Sequence, residues 1–123
     1  MNAVIAFLVW LWSLLTYLPR RLLAAFAPAR ETIFRPVHVE DLPDTLSPGL
    51  VYLAGEGENL WAAAMLCPCG CGEVIELNLL FQVRPRWTVD EHVDGTLTLT
   101  PSVWRQRGCR SHFILRGGRI VWC

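Results

Sequence analysis

The chain has 123 residues, 53% of them hydrophobic and 18% charged, which is room for one small domain and an appendage but not for two full domains. Eleven acidic and eleven basic residues cancel to a formal net charge of zero, so composition makes no case for a nucleic-acid partner. All the basic residues are arginine. Absence of lysine reads either as a compositional bias or as a surface that offers no acceptor amine to lysine-modifying machinery.

Residues 3–18 carry no charge, include Trp10, Trp12 and Tyr17, and stop at Pro19-Arg20-Arg21. A helix over residues 1–18 would run about 27 Å, slightly less than the roughly 30 Å hydrocarbon core of a bilayer. A secretory signal would place positive charge before the apolar run; here the arginines follow it, which predicts an uncleaved anchor. Arg20, Arg21, Arg30 and Arg35 then put the rest of the chain in the cytoplasm by the positive-inside rule. The expectation is a single-pass protein of the inner (cytoplasmic) membrane, with an N-terminal anchor helix and basic flank over residues 1–29. A buried or interfacial amphipathic helix continuing toward Pro28 is the competing reading.

Residues 30–49 form a linker with Pro36, Pro43 and Pro48 and a possible short strand at 33–39, in which His38 reads as a surface or packing histidine. Residues 50–123 read as β structure. Segments 50–54 and 60–66 flank Gly55-Glu-Gly57 as a hairpin would, and residues 73–79 alternate in part. Asp94-Gly95 predicts a type I′ turn between residues 87–93 and 96–100, and Gly117-Gly118 closes a last hairpin. The expected fold is mainly β: a small antiparallel sheet domain stabilised by a Cys/His metal site, with the hydrophobic helix in front.

The most specific signal is Cys67-Pro-Cys69-Gly-Cys71-Gly, answered downstream by Cys109-Arg-Ser111-His112. Zinc takes about four ligands with Zn–S near 2.3 Å, whereas an extended Cys-x-Cys-x-Cys would hold its outer Cα atoms about 13 Å apart, so the chain must curl there. Pro68, Gly70 and Gly72 equip it to do so. Candidate ligands are Cys67, Cys69, Cys71, Cys109 and His112, one more than a closed tetrahedral site needs. Four cysteines would leave His112 free for chemistry; ligation by His112 would leave a clustered cysteine spare. A thiolate-rich shell selects zinc, with an iron–sulfur cluster the lesser option. Cys123 reads as an incidental thiol.

These stretches, with Pro101-Ser102-Val-Trp104 and the closing Gly-Arg-Ile-Val-Trp, resemble a family of small bacterial proteins of unassigned function that share CxCGCG, Pro-Ser and C-[RQ]-S-H-[FY] motifs. The resemblance covers roughly residues 50–122. It implies metal binding through Cys67, Cys69, Cys71 and Cys109, a role for Ser102, Ser111 and His112, and a place among ubiquitin-like proteins and their E1-like and E2-like enzymes in clusters linked to phage defence. Processing of ubiquitin-like proteins or conjugates by a hydrolase is the activity it suggests.

The residues allow two routes to catalysis. Ser111 and His112 are sequence neighbours and, in an extended segment, point to opposite faces, so they make a poor dyad; Ser102 and His112 come from different segments and are freer to meet. A zinc-bound water with Glu73 as base is the second route. Against both stand the structural readings, Ser111 capping a turn and His112 ligating metal. The functional expectation is a zinc-binding, membrane-tethered component of a bacterial ubiquitin-like conjugation or defence system acting as a hydrolase. The alternative is a non-catalytic zinc-stabilised adaptor that holds a protein partner through Trp87 and Trp104, residues whose ordinary role in a small β domain is core packing.

Overall fold

The computed structural model describes residues 2–26 and 31–123, with side chains over 2–16 and 31–123. Residues 27–30, where the sequence places the end of the helix and the start of the linker, lie outside the described residues. The chain divides into two compact units, Met1–Arg30 and Glu31–Cys123.

The first unit is one helix, α1 (Asn2–Phe26). Residues 3–18 are uncharged, mostly apolar or aromatic and free of glycine and proline, and the Thr16 hydroxyl is satisfied within the helix by donating to the Trp12 carbonyl at 2.9 Å. Among the described residues no helix is long and apolar enough to cross a membrane. That overturns the expected single-pass inner-membrane anchor, and the cytoplasmic placement argued from it falls too. The physical reason lies in the extent of the apolar stretch: α1 continues through Arg20 and Arg21, and the uncharged portion before them rises only about 26 Å. Ser13, Thr16 and three indole or phenol rings dilute even that portion.

The second unit is mainly β, built from two four-stranded sheets. The first sheet orders β1 (Arg35–Val39), β2 (Leu50–Glu56), β3 (Asn59–Leu66) and β4 (Val74–Asn78) side by side; the second does the same with β5 (Thr88–Glu91), β6 (Leu97–Trp104), β7 (His112–Arg116) and β8 (Arg119–Trp122). Every pairing is antiparallel except β1 with β2. That parallel edge needs a crossover, supplied by the proline-bearing segment 40–49, whose Leu42 and Leu46 cover Tyr52 and Ala64 on the outer side of the first sheet. Ser47 fastens the crossover by donating its backbone N–H to the Tyr52 hydroxyl at 3.0 Å.

The main core lies where the sheets face each other. Val51, Leu53, Ala63, Met65, Cys67, Ile75 and Leu77 from the first sheet pack with Leu97, Leu99, Val103, Phe113 and Leu115 from the second. On β6 and β7 these buried residues alternate with Thr98, Thr100, Ser102 and Trp104, and with His112, Ile114 and Arg116, so the period-two pattern puts the chemically interesting side chains on the outer face of the second sheet. The 92–96 loop departs from the expected type I′ turn. Gly95 donates to the His92 carbonyl at 3.0 Å and His92 to that of Thr96 at 2.8 Å, a three-residue connection in which Gly95 alone takes positive φ. Asp94 accounts for the longer loop, since its carboxylate accepts from both the Thr96 amide and the Thr96 hydroxyl.

Gly118 ties the last hairpin to the other sheet. Its carbonyl accepts from the Phe34 amide at 2.7 Å, its own amide donates to Leu97, and its φ is +77°. A Cβ there would stand 2.7 Å from the Phe34 carbonyl oxygen. Gly118→Ala is therefore expected to lower stability by about 2 kcal/mol or more, through left-handed strain and loss of that approach together. Thermal unfolding followed by circular dichroism, beside Gly117→Ala whose added Cβ meets open space, would check it: Gly118 should be the costlier position.

Candidate active site and thiol cluster

At the end of β3 the chain turns sharply through residues 67–73. The Cys67 amide donates to the Glu73 carbonyl at 2.8 Å and the Gly70 amide to the Cys67 carbonyl at 3.2 Å, with Gly70 at φ +88° and Gly72 at φ +81°. This turn curls the three thiols together. From the second sheet, the loop between β6 and β7 brings in Cys109; it is closed by the Arg105 amide on the Ser111 carbonyl at 2.8 Å and places Arg110 at φ +52°. The four sulfurs of Cys67, Cys69, Cys71 and Cys109 lie within 4.8 Å of one another.

All four thiols are free. Cys67 Sγ stands 3.3 Å from Cys69 and 3.6 Å from Cys109, close to the roughly 3.8 Å that separates two thiolates on one tetrahedral zinc. The donor set and its spacing therefore fit a metal ion. Burial pushes the Cys67 thiol up to about 11. The Ser111 hydroxyl, 3.1 Å from Cys109 Sγ, holds the Cys109 thiol down at about 6, and a hydrogen bond with Cys67 lowers Cys69 from its ordinary value.

Arg105 completes this cluster. Its Nη1 donates to Cys109 at 3.3 Å and Cys71 at 3.5 Å, while Nη2 pairs with the Glu73 carboxylate. A guanidinium beside four sulfurs offsets the negative charge that thiolates would bring. Sequence reasoning missed Arg105, because nothing in its spacing separates it from Arg107 and Arg110. The same pairing engages Glu73 with a cation, unlike the free general base considered for it. His38, far along the chain, pairs with Glu91 at 2.7 Å, and Cys123 is exposed.

His112 lies outside the thiol cluster. Because Ser111 and His112 alternate at the start of β7, Ser111 faces the sulfurs, 3.7 Å from Cys67, while His112 faces the outer side of the sheet. There its Nε2 is 3.0 Å from Ser102 Oγ. Ser102 reaches this position through an irregularity: from Leu99 to Val103 β6 advances four residues while β7 retreats two, from Leu115 to Phe113. Such bulges re-aim side chains. Trp87 braces the bulge by donating its indole N–H to the Ser102 carbonyl at 3.3 Å.

The imidazole is held by stacking. The Trp104 ring lies 5.2 Å from it at an interplanar angle of 17°, and Trp104 is the cross-strand partner of His112. Among the described residues no carboxylate hydrogen-bonds the ring. Trp104 itself is 60% exposed, contrary to the core-packing expectation, because it shares its face with Ser102 and His112 and not with Val103. Trp87 is partly buried against the core.

A hydroxyl within hydrogen-bond reach of an imidazole, on the open face of a small β sandwich, is the equipment of serine-dependent acyl transfer. Residues 38–123 match the family model described as the bacterial ubiquitination-like system serine protease, BubE. The chain belongs to that family and is thereby associated with bacterial ubiquitin-like systems. No curated protein and no solved structure matches it.

Reduced protein is expected to bind one equivalent of zinc by elemental analysis. Cys67→Ser and Cys109→Ser should reduce that sharply, whereas His112→Ala should keep it. Because each ligand must be a thiolate, binding releases protons and affinity falls as pH drops. Acid titration of zinc-loaded protein in the presence of a chromogenic chelator would show the metal leaving as the pH falls.

Proposed function

We propose that the protein is a serine hydrolase that processes a ubiquitin-like protein or its conjugates, with Ser102 as nucleophile and His112 as general base. The observation that carries this reading is the 3.0 Å contact between His112 Nε2 and Ser102 Oγ, and family membership supports it. In the first half-reaction Ser102 Oγ attacks the substrate carbonyl as His112 Nε2 accepts its proton. His112 then returns that proton to the leaving group, and an acyl-serine remains. In the second, His112 deprotonates a water that attacks the acyl carbon, and the proton passes to Ser102 as the acid is released. Trp104 takes the orienting role that a carboxylate plays in a triad, fixing the ring plane by stacking.

On the same reading Cys67, Cys69, Cys71 and Cys109 hold zinc as a closed structural site, consistent with an all-thiolate donor set. When bound, zinc supplies a crosslink between the turn after β3 and the loop before β7. Ser111 serves that site by hydrogen bonding to sulfur, and the loop's far end carries His112. The protein partners on this reading are a ubiquitin-like protein and the E1-like or E2-like enzymes that load it. The adaptor alternative holds a partner through Trp87 and Trp104; the stacking of Trp104 on His112 supports the hydrolase reading over it.

Ser102→Ala and His112→Ala, purified with wild-type zinc content and unfolding temperature, should each lose at least about a hundredfold in cleavage of a cognate ubiquitin-like fusion. A fluorophosphonate probe should label wild type at Ser102, located by peptide mass spectrometry. Undiminished cleavage by Ser102→Ala would remove the proposed nucleophile.

A further inference from the structure

The outer face of the second sheet continues beyond the Ser102–His112 pair. A groove of about 230 Å³ runs along β6 and β7 from Ser102, lined by Thr98, Thr100, Pro101, Ile114 and Arg116. Ile114 gives it an apolar floor and the threonines a polar wall. Arg116 stands at the far end, one step beyond the Leu99–Leu115 pairing and so beside Thr98, whose hydroxyl accepts from the neighbouring Gly117 amide at 2.9 Å.

Arg116 does not stand alone there. Its cross-strand partner on β8 is Arg119, and both are exposed. Cross-strand partners share a face, and two like charges placed directly opposite destabilise a sheet. Arg119 Nη1 forms a long, exposed ion pair with Glu31 at 3.7 Å, beyond hydrogen-bond distance and of the kind that holds a charge only weakly. By register, the nearest carboxylate toward the other edge is Asp90, opposite Thr98 on β5, two strand spacings or roughly 10 Å from Arg116. Arg116 thus closes a groove that starts at Ser102, and Arg119 stands opposite it on the same face, both with fork-shaped donors suited to a carboxylate.

We propose that Arg116 and Arg119 form an anion subsite that holds an acidic side chain of the substrate three or four residues from the scissile bond. The position follows from geometry: His112, in contact with Ser102, and Arg116 are four residues apart on β7, which carries no extra residues, about 13 Å along the strand, and an extended substrate rises at the same rate. This inference rests on the hydrolase reading, for which Ser102 marks the point of cleavage.

The test uses the full-length protein and a library of quenched fluorogenic peptides randomised over five positions on each side of a central bond. Wild type is expected to prefer Asp or Glu over Asn or Gln at the third or fourth position on one side, by about five-fold in kcat/KM, and the preference should shrink in high salt. The R116Q/R119Q double variant should bring that ratio to about one, while R116K/R119K keeps most of it; unfolding temperature and fluorophosphonate labelling confirm that both are folded. A wild-type profile without acidic preference, or a ratio unmoved in the double glutamine variant, would overturn the subsite. Failure of fluorophosphonate to label Ser102, with no peptide cleaved, would overturn the hydrolase reading and the subsite with it, so the two failures are distinct.

Discussion

Cys67 is the residue on which the functional end of the domain hangs. It is at once a member of the main hydrophobic core, 4% exposed, and the sulfur from which Cys69, Cys109 and Ser111 take their positions. Its backbone belongs to the end of the first sheet and its nearest thiol across the seam to the loop of the second. In a domain of this size core burial alone leaves little margin, and a crosslink at the seam is worth more than it would be in a larger protein. The cost is electrostatic. A buried thiol resists ionising, and Arg105 and the Ser111 hydroxyl stand where they make a thiolate cluster tolerable.

The alternation of a β-strand divides the labour at Ser111 and His112. One residue looks inward at sulfur and the next looks outward at Ser102, so a single short segment both closes the loop on the cluster and presents the imidazole to Ser102. The bulge in β6 supplies the other half of that arrangement. Two extra residues between Leu99 and Val103 place Ser102 diagonally opposite His112, with Trp87 holding the bulge from beneath. Movement in the 105–111 loop would reach His112 directly, and on the proposed reading this is how the metal bears on catalysis without touching substrate.

Much of this was legible in the sequence because it rests on local rules. The Cys-Pro-Cys-Gly-Cys-Gly turn, the two hairpins of the second sheet and the opposite facing of Ser111 and His112 all follow from spacing and from where glycine stands. The Ser102–His112 meeting was legible only as a possibility, since it depends on a two-residue bulge that no pattern announces. Arg105 was invisible: its role comes from folding a loop back over sulfur, not from its sequence neighbours. Trp104 misled because size argues for burial, while strand parity, set by Val103, decides otherwise. The helix misled differently. An uncharged run reads as a membrane anchor by composition, but length and mean hydropathy must both suffice, and α1 passes into Arg20 and Arg21 too soon.

On the proposed reading, a nucleophile on an open sheet face meets a different problem from one in a deep cleft. The domain is too small to enclose a substrate, so it cannot exclude competing chains by shape around the bond. Selectivity must then come from contacts spread along the face, read in register with an extended segment. β6, β7 and β8 offer such a row: Trp104 and His112 at one end, Ile114 beneath, Arg116 and Arg119 at the other. Each contact on an exposed face is weak, and a row of weak contacts favours a substrate that is tethered or folded beside its cleavage site over a free peptide. On the proposed reading, a ubiquitin-like protein with an extended tail would be a substrate of that kind, its folded body restricting where the tail can go.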